Sequence, residues 1–181
     1  DGWRRRWGKP VFIDEMGYEG DLDQGWGSLT AEEFVLRSWM VIMRGGHVTH
    51  GETFWSDDEV IFWAKGGDLK GDALSRLAFL QQIIAESPEG ILEPLASEFD
   101  ASWAGTPGRS VLIFLGRGRP LFRDVPVPAG HTARIEVIDA WNMTIDAVPG
   151  EHEGTVRVNL PARPAMAIRL TLAVKEIPDD Y

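Results

Sequence analysis

The hydrophobic period of this chain changes once, between residues 90 and 98, and that change limits the architectures open to it. Before Glu93-Pro94, short β-branched and aromatic runs alternate with helical patterns. Lys9-Pro10 opens the run Val11-Phe12-Ile13, a short strand that delivers acids at its end in Asp14-Glu15-Met16-Gly17. A Gly-rich loop from Tyr18 to Leu29 then leads into Thr30-Ala31-Glu32-Glu33. This is a capping-box pattern, with Thr30 accepting from first-turn amides and Glu33 reaching back. The spacing of Phe34, Val35, Trp39, Ile42 and Met43 predicts a helix to about Arg44, stopped by Gly45-Gly46. His47-Val48-Thr49-His50-Gly51-Glu52 reads as a second short strand. After a long loop from Thr53 to Gly71, a second helix runs from Asp72 to about Glu86, with Leu74, Leu77, Ala78, Leu80 and Ile84 on one side. Strand, helix, strand, helix in that order implies parallel strands with helices outside.

Beyond Pro94 the period is two. Ser110 to Leu115 is a continuous apolar strand. Thr155 to Leu160 alternates, with Val156, Val158 and Leu160 on one face, and Met166 to Leu172 repeats this with Ile168, Leu170 and Leu172 inward. Ala133 to Ile138 and Leu121 to Val127 add two more. Short strands separated by Gly and Pro turns predict an antiparallel β-sandwich. The fold class is therefore α/β plus all-β, with the first unit at residues 1–92 and the sandwich at 93–181.

Composition removes several function classes. With 181 residues and 44% hydrophobic content the chain can bury a core. Having no Cys, it has no disulfide, no thiolate metal site and no thiol nucleophile, so covalent catalysis must use oxygen or nitrogen. A net charge of −10 argues against a nucleic-acid or anionic-membrane partner, and the one basic run, Arg4-Arg5-Arg6, reads as a solvated helix end. No run approaches the ~18 apolar residues of a spanning helix. Of the 8 Trp residues, Trp3, Trp7, Trp26, Trp39, Trp55 and Trp63 all precede residue 70, and a Trp face suits sugar stacking as well as core packing.

Glu15 is the first candidate for chemistry. Alternation puts Val11, Ile13 and Glu15 on one face, and if Val11 and Ile13 fill a barrel interior, Glu15 sits at its C-terminal mouth, where a carboxylate can be a nucleophile or a general base. His47, His50 and Glu52 are metal-ligand types, but on a strand His47 points away from the other two, so no metal or other cofactor is expected. Asn142, His131 and His152 fall near turns of the sandwich.

Lys9 to Tyr18 resembles the seventh strand of clan A (β/α)8 glycoside hydrolases, a Pro-led apolar strand ending in Glu with Gly two positions on. Gly46 to Thr53 resembles the eighth strand in the apiosidase-like branch of those enzymes. Glu136 to Thr144 and Leu160 to Leu170 resemble the β-sandwich that follows the barrel. The resemblance implies the last two βα units of a (β/α)8 TIM barrel followed by that sandwich. It makes Glu15 the nucleophile of a retaining O-glycosyl hydrolase acting on a polysaccharide or oligosaccharide. It also puts His50, Glu52 and Trp55 at the glycone subsite, with Tyr18, Trp63 and Lys65 on adjoining loops. The acid/base Glu then lies outside this chain, because a barrel needs about 250 residues, and the chain alone is expected to be inactive. Expected partners are a carbohydrate substrate and either a missing N-terminal barrel segment or a second protomer. The alternative is a non-catalytic carbohydrate-binding or interaction module, which would need exposed aromatics on one sandwich face.

Overall fold

The computed structural model describes residues 2–51, 54, 67–96 and 98–175. Helix α1 (Gly2–Trp7) precedes β1 (Phe12–Ile13), α2 (Ala31–Ile42), β2 (His47–Val48) and α3 (Ala73–Ala85). Strands β1 and β2 pair in parallel, Phe12 opposite His47 and Ile13 opposite Val48, as the alternation of elements predicts. The rest of the chain is sheet: β3 (Glu93–Pro94), β4 (Ser102–Thr106), β5 (Ser110–Phe114), β6 (Phe122–Pro126), β7 (His131–Asp139), β8 (Thr144–His152), β9 (Thr155–Asn159) and β10 (Met166–Val174). Six of these form one antiparallel sheet in the order β3-β4-β5-β10-β7-β8, and β6 pairs with β9 in a separate antiparallel ladder.

Both faces of the six-stranded sheet are covered. On one, Ile113, Ile135, Ile168 and Leu170 pack against Val125, Val127, Val158 and Leu160 of the β6-β9 ladder and its flanks, forming the sandwich core. On the other, Ala104, Leu112, Phe114, Ile138 and Ala167 meet Phe34, Val35, Trp39 and Met43 of α2 and Phe79, Leu80 and Ile83 of α3. Trp39 and Phe114, both fully buried, stack with centroids 5.0 Å apart. Two covered faces explain why β5 is apolar without alternation. Polar ties cross the same junction: Arg4 is bidentate to Glu93 at 2.6 and 2.7 Å, Arg117 Nη2 donates to both Glu33 oxygens at 2.8 and 2.6 Å, and Arg169 donates to both Glu86 and Glu136.

Several expectations need correction. The Thr30 hydroxyl does accept from the Glu33 amide at 3.2 Å, but the Glu33 carboxylate does not reach back to complete the box, because Arg37 and Arg117 take it. In α3, Leu74 is exposed and so is Ala78, while Phe79 and Ile83 are buried instead. That helix is apolar on most sides, so its contact with the sheet, not its period, selects the face. Strands β4 and β8 were absent from the sequence expectation. β8 is an edge strand that carries Pro149 and Gly150 and is largely exposed, so it lacks a hydrophobic pattern and tolerates Pro. β4 carries Gly105 at φ +150°, where an added Cβ would lie 2.3 Å from the Ser110 carbonyl oxygen across the hairpin.

Candidate active site

The site is built where β1 and β2 end. Contrary to expectation, Val11 and Ile13 face the side of α2 and not a barrel interior. They line a cleft of about 480 Å³ with Trp3, Met40 and Val41, on the side of α2. Phe12 points the other way, stacks on His47 with centroids 4.7 Å apart and stays 66% exposed. Strand β1 is apolar on both sides, so alternation alone could not choose between them. Glu15 falls two residues beyond the strand, where the alternation no longer governs direction, and its side chain is exposed.

One oxygen of the Glu15 carboxylate accepts from the Tyr18 hydroxyl at 3.1 Å. Tyr18 is itself held by the loop that follows. Its amide donates to the Trp26 carbonyl at 2.6 Å, its carbonyl accepts from the Leu29 amide at 3.1 Å, and the Trp26 ring meets its ring edge-on at 5.7 Å. Trp26, 44% exposed, thus puts a second aromatic beside Tyr18 that sequence spacing did not single out. Below the turn, Arg37 of α2 donates to the Met16 carbonyl at 2.8 Å and to Glu33 at 2.6 Å, and Glu33 is also gripped by Arg117 from the sandwich. Burial pushes the Glu33 carboxyl up, but the hydrogen bonds from Arg37 and Arg117 outweigh it and hold the group below its ordinary range. A chain of charged contacts therefore runs from the sandwich to the residue after Glu15.

The second strand end carries Thr49, whose hydroxyl donates to the Asp14 carbonyl, and His50. The His50 ring lies edge-on to Phe34 at 5.2 Å, and its Nε2, buried and without a hydrogen bond, is 3.9 Å from Glu19 Oε2. His50 and Glu15 thus take different partners.

Glu19, which sequence reasoning missed, is only 4% exposed. Its carboxylate accepts from the Asp72 and Ala73 amides at 2.6 and 3.0 Å, capping α3 from 53 and 54 residues away, while Asp72 itself makes no side-chain cap. Gly71, at φ +91°, is what lets the carboxylate approach: a Cβ there would lie 2.0 Å from Glu19 Oε1. No local pattern announces a cap supplied from so far along the chain. Lys70 pairs with Asp21 at 2.6 Å and ties the two loops together a second time.

Glu52, Trp55, Trp63 and Lys65 lie outside the described residues. Among the described residues no three His, Asp or Glu gather as metal ligands, and no helix is long and apolar enough to cross a membrane. On the sandwich, Phe122 is 43% exposed, with the Arg157 guanidinium 4.0 Å above its ring.

Comparison with solved structures gives this arrangement a context. A candidate glycoside hydrolase from Bacteroides vulgatus ATCC 8482 superposes with a TM-score of 0.80 and 29% identity over 95% of this chain and 38% of that one. The chain has the fold of a part of glycoside hydrolases. A second structure described as a glycoside hydrolase matches with a TM-score of 0.66 at 12% identity, over 94% of this chain and 46% of that one. A family 5 glycoside hydrolase, also from Bacteroides vulgatus ATCC 8482, matches with a TM-score of 0.64 at 12% identity, over 94% and 44%. This chain spans less than half the length of each of these structures. A family model described as a domain of unknown function (DUF5605) matches residues 99–171, which run from the loop before β4 into β10. No curated protein matches the sequence.

Proposed function

We propose that this chain is the C-terminal part of a retaining glycoside hydrolase of the apiosidase-like type. On this reading residues 1–92 form the last two βα units of a (β/α)8 barrel, and residues 93–181 are its β-sandwich. The acid/base Glu lies outside these 181 residues. The barrel face left open by Phe12 and His47 is completed by an N-terminal segment or a second protomer. The observation that carries the proposal is the Glu15 carboxylate, which stands just past the first of two parallel strands, exposed, with a Tyr hydroxyl on one oxygen. Its other oxygen has no hydrogen-bond partner among the described residues.

In the mechanism this supports, the open oxygen of Glu15 attacks the anomeric carbon and forms a glycosyl-enzyme ester as the leaving group departs. Water then attacks the same carbon and releases the sugar with retained configuration. Tyr18 orients the carboxylate, and Trp26 offers an apolar ring beside Tyr18 for a saccharide. His50, Glu52 and Trp55 border the glycone, with Trp63 and Lys65 on the adjoining loop.

The test is trapping. An enzyme that contains this chain, treated with a panel of activated 2-deoxy-2-fluoroglycosides, is expected to carry the fluorosugar on the peptide with Glu15, and Glu15→Gln to lose both labelling and turnover. A label on another carboxylate, or a first-formed product of inverted configuration, overturns the assignment.

A further inference from the structure

Away from Glu15, the chain holds a cleft of about 620 Å³ between the start of α2 and three loops of the sandwich. Arg117, Arg119, Trp141, Asn142 and Arg163 line it, facing Thr30 and Glu32. We propose that this cleft binds an acidic saccharide, with a uronate ring on Trp141 and its carboxylate on Arg119 and Arg163. The choice of a saccharide rests on the glycoside hydrolase reading above; the preference for a carboxylate rests on the cleft itself.

Three observations carry the inference. First, the lining is fixed before any ligand arrives. Asp139, only 2% exposed, accepts from the Trp141 and Asn142 amides at 3.0 and 2.8 Å and from the Asn142 side chain at 2.9 Å, and it forms an ion pair with Arg163, whose Nε lies 2.9 Å away. One buried carboxylate thereby sets the positions of an aromatic ring, an amide and a guanidinium. Arg76 packs over the Trp141 ring at 3.9 Å and donates to the Trp141 carbonyl at 3.0 Å, holding the indole from one side.

Second, cations outnumber acids at the cleft: Arg117, Arg119 and Arg163 in the lining, with Arg37 and Arg76 behind it, against Glu32, Glu33 and Asp139. Glu33 is occupied by Arg37 and Arg117, and Arg163 pairs with Asp139 while its side chain stays 51% exposed. Arg119 has no ion-pair partner among the described residues, and neither has Glu32, the lining carboxylate from which a bound anion must keep clear. In a chain of net charge −10, the unpaired Arg119 and the half-exposed Arg163 in one cleft beside an indole form an unusual surface. A planar fork matches a carboxylate bidentately, whereas a neutral sugar would leave those donors to water.

Third, the backbone here is held in costly conformations. Of the four non-glycine residues with positive φ among the described residues, Met143 (φ 57°), Ala162 (φ 55°) and Ala165 (φ 59°) belong to the two loops that carry Trp141, Asn142 and Arg163. Strain of this kind persists where the surroundings over-determine a geometry, and it concentrates at ligand clamps.

The test uses this chain with β-1,4-linked trimannuronate, neutral β-1,4-mannotriose, and sodium sulfate as a simple anion, followed by amide and indole NMR. Trimannuronate is expected to shift Trp141, Asn142 and Arg163 with a dissociation constant in the low-millimolar range, about tenfold weaker in Arg119→Ala. Mannotriose at about 10 mM should shift them far less, and sulfate at matched ionic strength should not reproduce the indole shift. Glu15→Gln is expected to leave this binding unchanged in the chain while abolishing fluorosugar trapping in the enzyme that contains it, so the two proposals fail separately. Equal shifts from mannotriose, equal shifts from sulfate, unaltered affinity in Arg119→Ala, or no shift with trimannuronate each overturns the acidic-saccharide site.

Discussion

Removing the Glu19 carboxylate should destabilise the chain far more than its place in a Gly-rich loop suggests. Glu19→Ala deletes two charge-assisted hydrogen bonds to the first amides of α3. The Asp72 amide can turn to water, because Asp72 is exposed, but Ala73 is 0% exposed and its N–H is left unpaired. An unsatisfied buried donor costs roughly 1–3 kcal/mol, and losing a negative charge at a helix N-terminus adds about 0.5–1 kcal/mol. The total is about 2–4 kcal/mol. Glu19→Gln keeps one oxygen against one amide but turns an NH2 toward the other and loses the charge, for about 1–2 kcal/mol. For a chain of this size the Ala variant should melt about 6–12 °C lower. Urea unfolding followed by far-UV circular dichroism and by Trp fluorescence gives the difference, provided the two transitions coincide. Native-state hydrogen exchange should place the loss first at the amides of Ala73 and Leu74. If Glu19→Ala costs less than about 1 kcal/mol, or Glu19→Gln costs as much as Glu19→Ala, the cap is not what holds α3.

Gly71→Ala should strike the same cap, because its Cβ would lie 2.0 Å from Glu19 Oε1. Its cost should therefore be sub-additive with Glu19→Ala in a double-mutant cycle of urea midpoints. Trp39→Ala should cost about 3–5 kcal/mol and take much of the near-UV circular dichroism with it, since the ring is fully buried against Phe114 where the helices meet the sheet. Stability should also fall with acid in a definite window. The hydrogen bond from Arg169 holds Glu86 below its ordinary value of 4.5, that from Arg4 does the same for Glu93, and Arg123 likewise lowers Asp100 from 3.8. Folded values depressed below unfolded ones contribute stability that is full above the unfolded values and lost as pH falls through the folded ones. Urea midpoints should therefore hold level above about pH 5 and decline below it, and Arg4→Ala together with Arg169→Ala should flatten that decline.

The elements legible in the sequence were those whose burial is one-sided and whose signals are local. Val156, Val158 and Leu160 alternate cleanly because β9 has one face on the sandwich core and one in water, and Thr30 announces α2 because a cap reads only three residues ahead. Legibility failed wherever both sides of an element are apolar. Val11, Phe12 and Ile13 give a strand without saying which side meets α2, and the ring of apolar residues around α3 gives a helix without a face. It failed again where a partner is distant in sequence. Glu15 could be singled out, because a strand end followed by Gly is a local pattern. Glu19, Arg37 and Arg117 could not be given roles, because each is defined by a contact 21 to 84 residues away. These distant contacts hold the turn after Glu15 and the start of α3 in place. A site on a strand end is therefore half visible in the sequence: the residue offered for chemistry is read from its neighbours, and the residues that fix its geometry appear only once the chain has folded.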